Sequence, residues 1–173
     1  MISVMKSLMK NVKNALDKPD NYDARAELMY ACSLACNGIL ANGNGSSGWP
    51  MHSIEHVISG FYDITHGAGL AIITPRWMKE ILSENTLDRF ALLGKGLFNI
   101  EVNSVEDAYK VIDAFYKSFE SIGIPMHLRE LNIYEDRIEE MADHILRYDS
   151  TVGEHMYVSL DKDALIRILK ECL

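Results

Sequence analysis

The sequence predicts an all-α protein, a helical bundle built as a single domain over residues 1–173. Three observations predict it. Apolar residues recur three and four positions apart along nearly the whole chain. Alternating apolar and polar runs of strand length are scarce. Helix-start and helix-stop residues punctuate the pattern: Asn21, Ser104 and Asp161 at starts, Gly123 followed by Pro125 at a stop.

The first helix places Ile2, Met5, Leu8, Met9, Val12 and Leu16 on one face. No capping residue precedes it, so the spacing predicts the remainder of a longer helix. Lys18-Pro19-Asp20-Asn21 is a turn, and Asp20 or Asn21 caps the second helix, with Asp23 favourable in its first turn. That helix runs through Ala24, Leu28, Ala31, Cys32 and Ala35 toward Ile39. Its density of small residues predicts a closely packed neighbouring backbone. It ends at Asn37-Gly38 or in the flexible loop Asn42-Gly43-Asn44-Gly45-Ser46-Ser47-Gly48.

Trp49-Pro50 opens a short third helix, proline suiting the first helical position, and Gly60 ends it. Thr65 caps the next, which begins His66-Gly67-Ala68-Gly69 and is apolar on all sides through Leu70-Ala71-Ile72-Ile73. It is therefore the buried central helix, kinked or restarted at Pro75. Leu87, Phe90, Ala91 and Leu97 mark another amphipathic helix. Ser104 and Asp107 form a capping-box-like start for a helix burying Val105, Ala108, Ile112, Phe115, Phe119 and Ile122. A short helix or turn over residues 127–131 follows, then an acidic helix over 134–148 with Ile138, Met141, Ala142 and Ile145 inward. Asp161 caps a last helix carrying Leu165, Ile166, Ile168 and Leu169.

Composition removes several function classes. A chain of 173 residues with 48% apolar content buries a sizeable core. Its 25 acidic against 17 basic side chains give a net charge of −8. No nucleic-acid partner is therefore expected, since a general phosphate-backbone binder needs a basic face. No run approaches the roughly 18 to 20 apolar residues of a membrane span, so no membrane partner is expected either. Residues 1–13 carry Lys6, Lys10 and Lys13 and lack the apolar core of an export signal. Cys32, Cys36 and Cys172 are an odd set in a chain without such a signal, which predicts reduced thiols and a cytoplasmic location. Cys32 and Cys36 are expected as buried small hydrophobes.

Two motifs carry potential chemistry. Gly43-Asn44-Gly45-Ser46-Ser47-Gly48 matches G-x-G-x-x-G, but the dinucleotide motif needs a preceding strand, and a helix precedes this one. It is expected to be a plain loop. His52-Ser53-Ile54-Glu55-His56 matches H-x-x-E-H, which on a helix turns both imidazoles toward one point. His66, ten residues later, supplies a third imidazole at a helix start. On residues alone this is a metal site, a metal-dependent hydrolase with Glu55 as base, or an ordinary histidine pair. His127, His144 and His155 have no companions at ligand spacing and are expected at the surface or boundary.

The order of Asn21-Tyr22-Asp23-Ala24-Arg25, the small-residue helix, His52-x-x-x-His56 and Thr65-His66-Gly67 strongly resembles one family. It is similar to the C-terminal helical domain of the iron-containing (group III) alcohol dehydrogenases, with the butanol- and aldehyde-reducing branch nearest. The similarity continues through Ala71-Ile72-Ile73-Thr74-Pro75, Ser121-Ile122-Gly123-Ile124-Pro125-Met126-His127-Leu128 and the final helix.

The resemblance implies a divalent metal, Fe2+ first and Zn2+ second, held by one Asp and three His while hydride passes to or from NAD(P). By position it makes His52 and His66 metal ligands. It makes His56 a catalytic and cofactor-binding histidine beside the nicotinamide, outside the metal's ligands. The family's other two ligands and its nucleotide-binding domain would lie upstream of this sequence. The chain alone is therefore expected to bind metal weakly and to lack dehydrogenase activity. A homo-oligomer or a separate nucleotide-binding chain is the expected partner, with a small alcohol or aldehyde as substrate of the complete enzyme. The other reading of the same resemblance is a non-catalytic remnant serving as an interaction module.

Overall fold

The computed structural model describes residues 1–41, 48–150, 152 and 157–173. The glycine motif over residues 43–48, apart from Gly48, and His155 lie outside the described residues. Among the described residues the regular elements are helical and none is a strand. In chain order they are α1 (Ile2–Asp17), α2 (Tyr22–Cys36), α3 (Pro50–Tyr62), α4 (His66–Ile81), α5 (Leu87–Leu93), α6 (Val105–Glu120), α7 (Ile138–Tyr148) and α8 (Lys162–Glu171), with short 3-10 turns between some of them. The chain divides into two compact units, Met1–Gly45 with Leu87–Ala114, and Ser46–Thr86 with Phe115–Leu173.

In the first unit α1 packs against α2. α1 starts at Met1 without a side-chain cap, as its sequence predicts, and its apolar face is only partly covered: no residue of it is fully buried. Asn21, one of the two candidates, caps α2, its Oδ1 accepting from Ala24 N at 3.1 Å. Ala24 and Ala31 are the buried residues of α2. Cys32 and Cys36 are exposed, contrary to expectation. The reason is angular: a helix inward-facing at Ala24 and Ala31 turns position 32 about 100° further round, away from its neighbour.

The helix read over Leu87 to Leu97 is α only to Leu93, after which Gly94–Phe98 forms a π-helical turn ended by left-handed Asn99. A Cβ on Gly94 would stand 2.8 Å from Val111 Cγ2 and 2.9 Å from Ile100 O, so the wider turn and the close approach coincide at a glycine. Ser104 Oγ accepts from Asp107 N at 3.1 Å, while Asp107 Oδ2 accepts from Asn103 N. α6 thus begins with the expected cap, its return bond reaching one residue further back than in the usual box.

The second unit holds α3, α4, α7 and α8, with α3 against α4 and α7, and α8 against α4 and α7. Pro50 opens α3, which runs past Gly60 to Tyr62 because left-handed Asp63 provides the stop. Thr65 stands at the N-cap of α4 but makes no side-chain cap bond. α4 continues through Pro75 as one helix. Pro75 removes the helical donor of Ala71 O, and on either side of that carbonyl Thr74 Oγ1 donates to Leu70 O at 2.7 Å and Arg76 Nη1 to Ile72 O at 3.0 Å. Ile72 and Ile73 are fully buried, as a central helix requires.

The acidic helix begins at Ile138 rather than Tyr134, its first residues taking a 3-10 turn, and buries the four predicted residues Ile138, Met141, Ala142 and Ile145. Asp161 caps α8, its Oδ1 accepting from Ala164 N at 2.7 Å.

The thiols give a direct check of this packing. Burial pushes the Cys172 thiol up to about 12, and only a thiolate reacts. An aromatic disulfide reagent at pH 8 is expected to titrate Cys32 and Cys36 in the native protein and Cys172 only after denaturation. Three thiols reacting together would contradict the placement of Cys172.

Candidate metal centre

The site lies within the second unit. Because α3 carries His52 and His56 four residues apart, the two imidazoles share a face, with ring centroids 6.0 Å apart. The connection over residues 63–65 turns the chain back so that α4 begins at His66. His66 then lies 5.2 Å, centroid to centroid, from both His52 and His56, stacked on the latter. The structure thus brings together all three histidines singled out in the sequence. His127 and His144 stand apart from them: His127 contacts Tyr116 and His144 packs edge-on against Phe61.

Beneath the rings sits Glu55, fully buried on the inner side of α3. Its Oε1 accepts from Ser59 Oγ and its Oε2 from His66 Nδ1. Gly69 leaves it that room, since a Cβ there would stand 2.7 Å from Glu55 Cγ. With both oxygens engaged and no exposure, Glu55 is not placed to activate a solvent water, which removes the base that the hydrolase reading needs.

Trp49 stands edge-on to His52 with centroids 4.9 Å apart. Tyr148 Oη lies 3.2 Å from His56 Nδ1, and Ser53 Oγ donates to Asp149 Oδ2 at 2.7 Å. Trp49, His52, Ser53, His56, Tyr148 and Asp149 line an open depression of about 430 Å³. Tyr148 and Asp149 were invisible as site residues in the sequence: they are more than ninety positions away, and a tyrosine ending an amphipathic helix carries no signal of its own.

The donor set suits a divalent metal. His52 Nδ1 is buried without a hydrogen-bond partner among the described residues, a deficit a bound ion would offset. Burial, helped by the neighbouring His66 and His56, holds the His52 imidazole below its usual range, keeping it neutral as a ligand must be. Among the described residues, Glu55, His56 and His66 form a donor group whose ligand atoms lie within 4.8 Å of one another. Within that group both oxygens of Glu55 already accept hydrogen bonds, from Ser59 and His66.

An all-helical chain that brings three histidines from two successive helices within 5.2 to 6.0 Å of one another defines a class of helical domain with a candidate metal centre. The sequence pattern of the C-terminal part of the Fe-containing alcohol dehydrogenase family matches residues 1–173, and the chain belongs to that family. It is 43% identical over 154 residues to NADH-dependent butanol dehydrogenase A of Clostridium acetobutylicum, covering 87% of this chain and 39% of that protein. It is 32% identical over 174 residues to the probable NADH-dependent butanol dehydrogenase 1 of Bacillus subtilis, covering 99% and 44%. The crystal structure of NADH-dependent butanol dehydrogenase A from Thermotoga maritima superposes with a TM-score of 0.87 at 32% identity, over 99% of this chain and 44% of that one. The chain therefore spans about two fifths of the length of these relatives. Among the described residues no helix is long and apolar enough to cross a membrane.

Proposed function

We propose that this chain supplies the metal-binding half of an NAD(P)-dependent alcohol or aldehyde oxidoreductase, with His52 and His66 as metal ligands and His56 beside the nicotinamide. One observation carries the reading: the three imidazoles converge at 5.2 to 6.0 Å in a chain of this family. Fe2+ is the first choice of metal and Zn2+ the second, both being well served by neutral imidazole. When bound, the metal supplies Lewis acidity toward the oxygen of a small alcohol or aldehyde.

The chain's own residues do the rest. His52 and His66 hold the ion, and Trp49 covers one side of His52. His56 holds or releases a proton at its ring nitrogens. Tyr148 Oη, next to His56 Nδ1 on an exposed side chain, links that proton to solvent. The nucleotide site and two further ligands belong to the three fifths of the relatives' length that this chain does not cover. A separate nucleotide-binding chain or a second copy is its partner, and the reducing cytoplasm its setting, in keeping with three free cysteines.

Two measurements on the purified chain test this. With Fe2+ or Zn2+, NADH or NADPH and butyraldehyde, turnover is expected to equal that of a His52→Ala/His66→Ala variant; turnover clearly above it overturns the claim of inactivity alone. Zn2+ affinity, read by chelator competition, is expected to fall in the same variant by more than the ~10–100-fold typical of outer-shell changes. Equal affinity overturns the metal reading itself.

A further inference from the structure

Glu55 is a charged side chain with no exposure, set between the two helices that carry the histidines. A buried carboxylate is costly unless its lone pairs are used, and here each oxygen has a donor: Ser59 Oγ from the next turn of α3 and His66 Nδ1 from α4. The space for it exists only because position 69 is glycine. A Cβ at Gly69 would stand 2.7 Å from Glu55 Cγ and 2.8 Å from Oε1. A seat this specific, made by two helices and a missing side chain, is more than packing requires, since an apolar residue would fill the same volume without desolvating a charge.

We propose that Glu55 is a positioning residue for the metal centre. By accepting from His66 Nδ1 it fixes the imidazole as the Nδ1–H tautomer, which leaves the Nε2 lone pair as the ligand and holds the ring in place. Ser59 holds the carboxylate in turn, and Gly69 admits it. The inference rests on the reading of His66 as a metal ligand and adds the residue that makes it one. It also accounts for Glu55 belonging to the donor group with His56 and His66 while both its oxygens are occupied: it acts through His66 and not on the ion.

The test uses the full chain with Zn2+ as the probe, in chelator competition, for wild type, Glu55→Gln, Gly69→Ala and His66→Ala. Glutamine keeps the volume but presents an amide NH2 to one of the two donors. Alanine at 69 displaces the carboxylate without touching its charge. Both are expected to weaken Zn2+ binding ~10–100-fold with the helical circular dichroism retained. Nitrogen-15 NMR of the metal-free proteins, a readout that loss of packing alone would not move, is expected to show His66 as the Nδ1–H tautomer in wild type and a mixed or Nε2–H form in both variants. Co2+ absorption bands should keep their shape in Glu55→Gln, because the residue is outside the ligand set. If both variants bind Zn2+ within threefold of wild type while His66→Ala does not, Glu55 has no positioning role and the metal reading stands. If His66→Ala binds as wild type does, the metal reading falls and the role of Glu55 with it. A changed Co2+ spectrum in Glu55→Gln makes Glu55 a ligand and overturns the proposal.

Discussion

Ile72→Ala is expected to lower the stability of the second unit by about 2–5 kcal/mol. Ile72 is fully buried on α4, one helical turn beyond Gly69 and within the same helix as His66. Truncation removes three carbons from a close-packed interior and leaves a cavity that rigid neighbouring helices fill only in part. Against a typical total of about 5–15 kcal/mol this is a large fraction. Both tryptophans, Trp49 and Trp77, lie in this unit, so urea unfolding followed by tryptophan fluorescence reads it directly. The midpoint should fall with the slope unchanged. A loss under about 1 kcal/mol would show that the site around Ile72 is looser than its burial indicates.

Gly94→Ala is expected to destabilise the first unit by about 1–3 kcal/mol, although alanine is the better helix former by about 1 kcal/mol. The added Cβ meets Val111 Cγ2 at 2.8 Å, the backbone oxygen of Ile100 at 2.9 Å and Val102 Cγ2 at 3.1 Å. Val111 is fully buried and a backbone oxygen cannot rotate aside, so the π-helical turn itself must shift. Gly60→Ala is the matching control. Nothing lies within 4 Å of a Cβ there, so the change should stabilise α3 by about 0.5–1 kcal/mol. Circular dichroism reads the Gly94 variant, whose unit holds no tryptophan. Equal stabilisation by both substitutions would mean that the turn around Gly94 is not closely packed.

The two glycines show where sequence reasoning stops. Each sits at helical spacing; the sequence predicts a helix stop at Gly60 and carries no signal at Gly94. Their neighbours decided otherwise: left-handed Asp63 ends α3, and Val111, from the following helix, crowds Gly94. The same holds for Pro75. Kink and restart are both open in the sequence, and the tertiary structure carries α4 through the proline as one continuous helix.

The sequence by itself determined what is local: the helical periods, the caps at Ser104 and Asp161, a cap at Asp20 or Asn21, and the four inward residues of α7. It also determined the spacing of His52, His56 and His66, because four residues on one helix and a helix start soon after leave few ways to arrange three imidazoles. Only the tertiary structure decided which groups stand around them. Glu55, a base only in the hydrolase alternative that the sequence leaves open, is buried and bound to His66. Tyr148 and Asp149 come from a distant helix end, and Cys32 and Cys36 turn outward. The physical reason is that periodicity and capping depend on backbone hydrogen bonds within about four residues, whereas burial and side-chain partners depend on which helix faces pack together. That pairing is set by the summed contacts of many residues, and no short stretch of sequence records it.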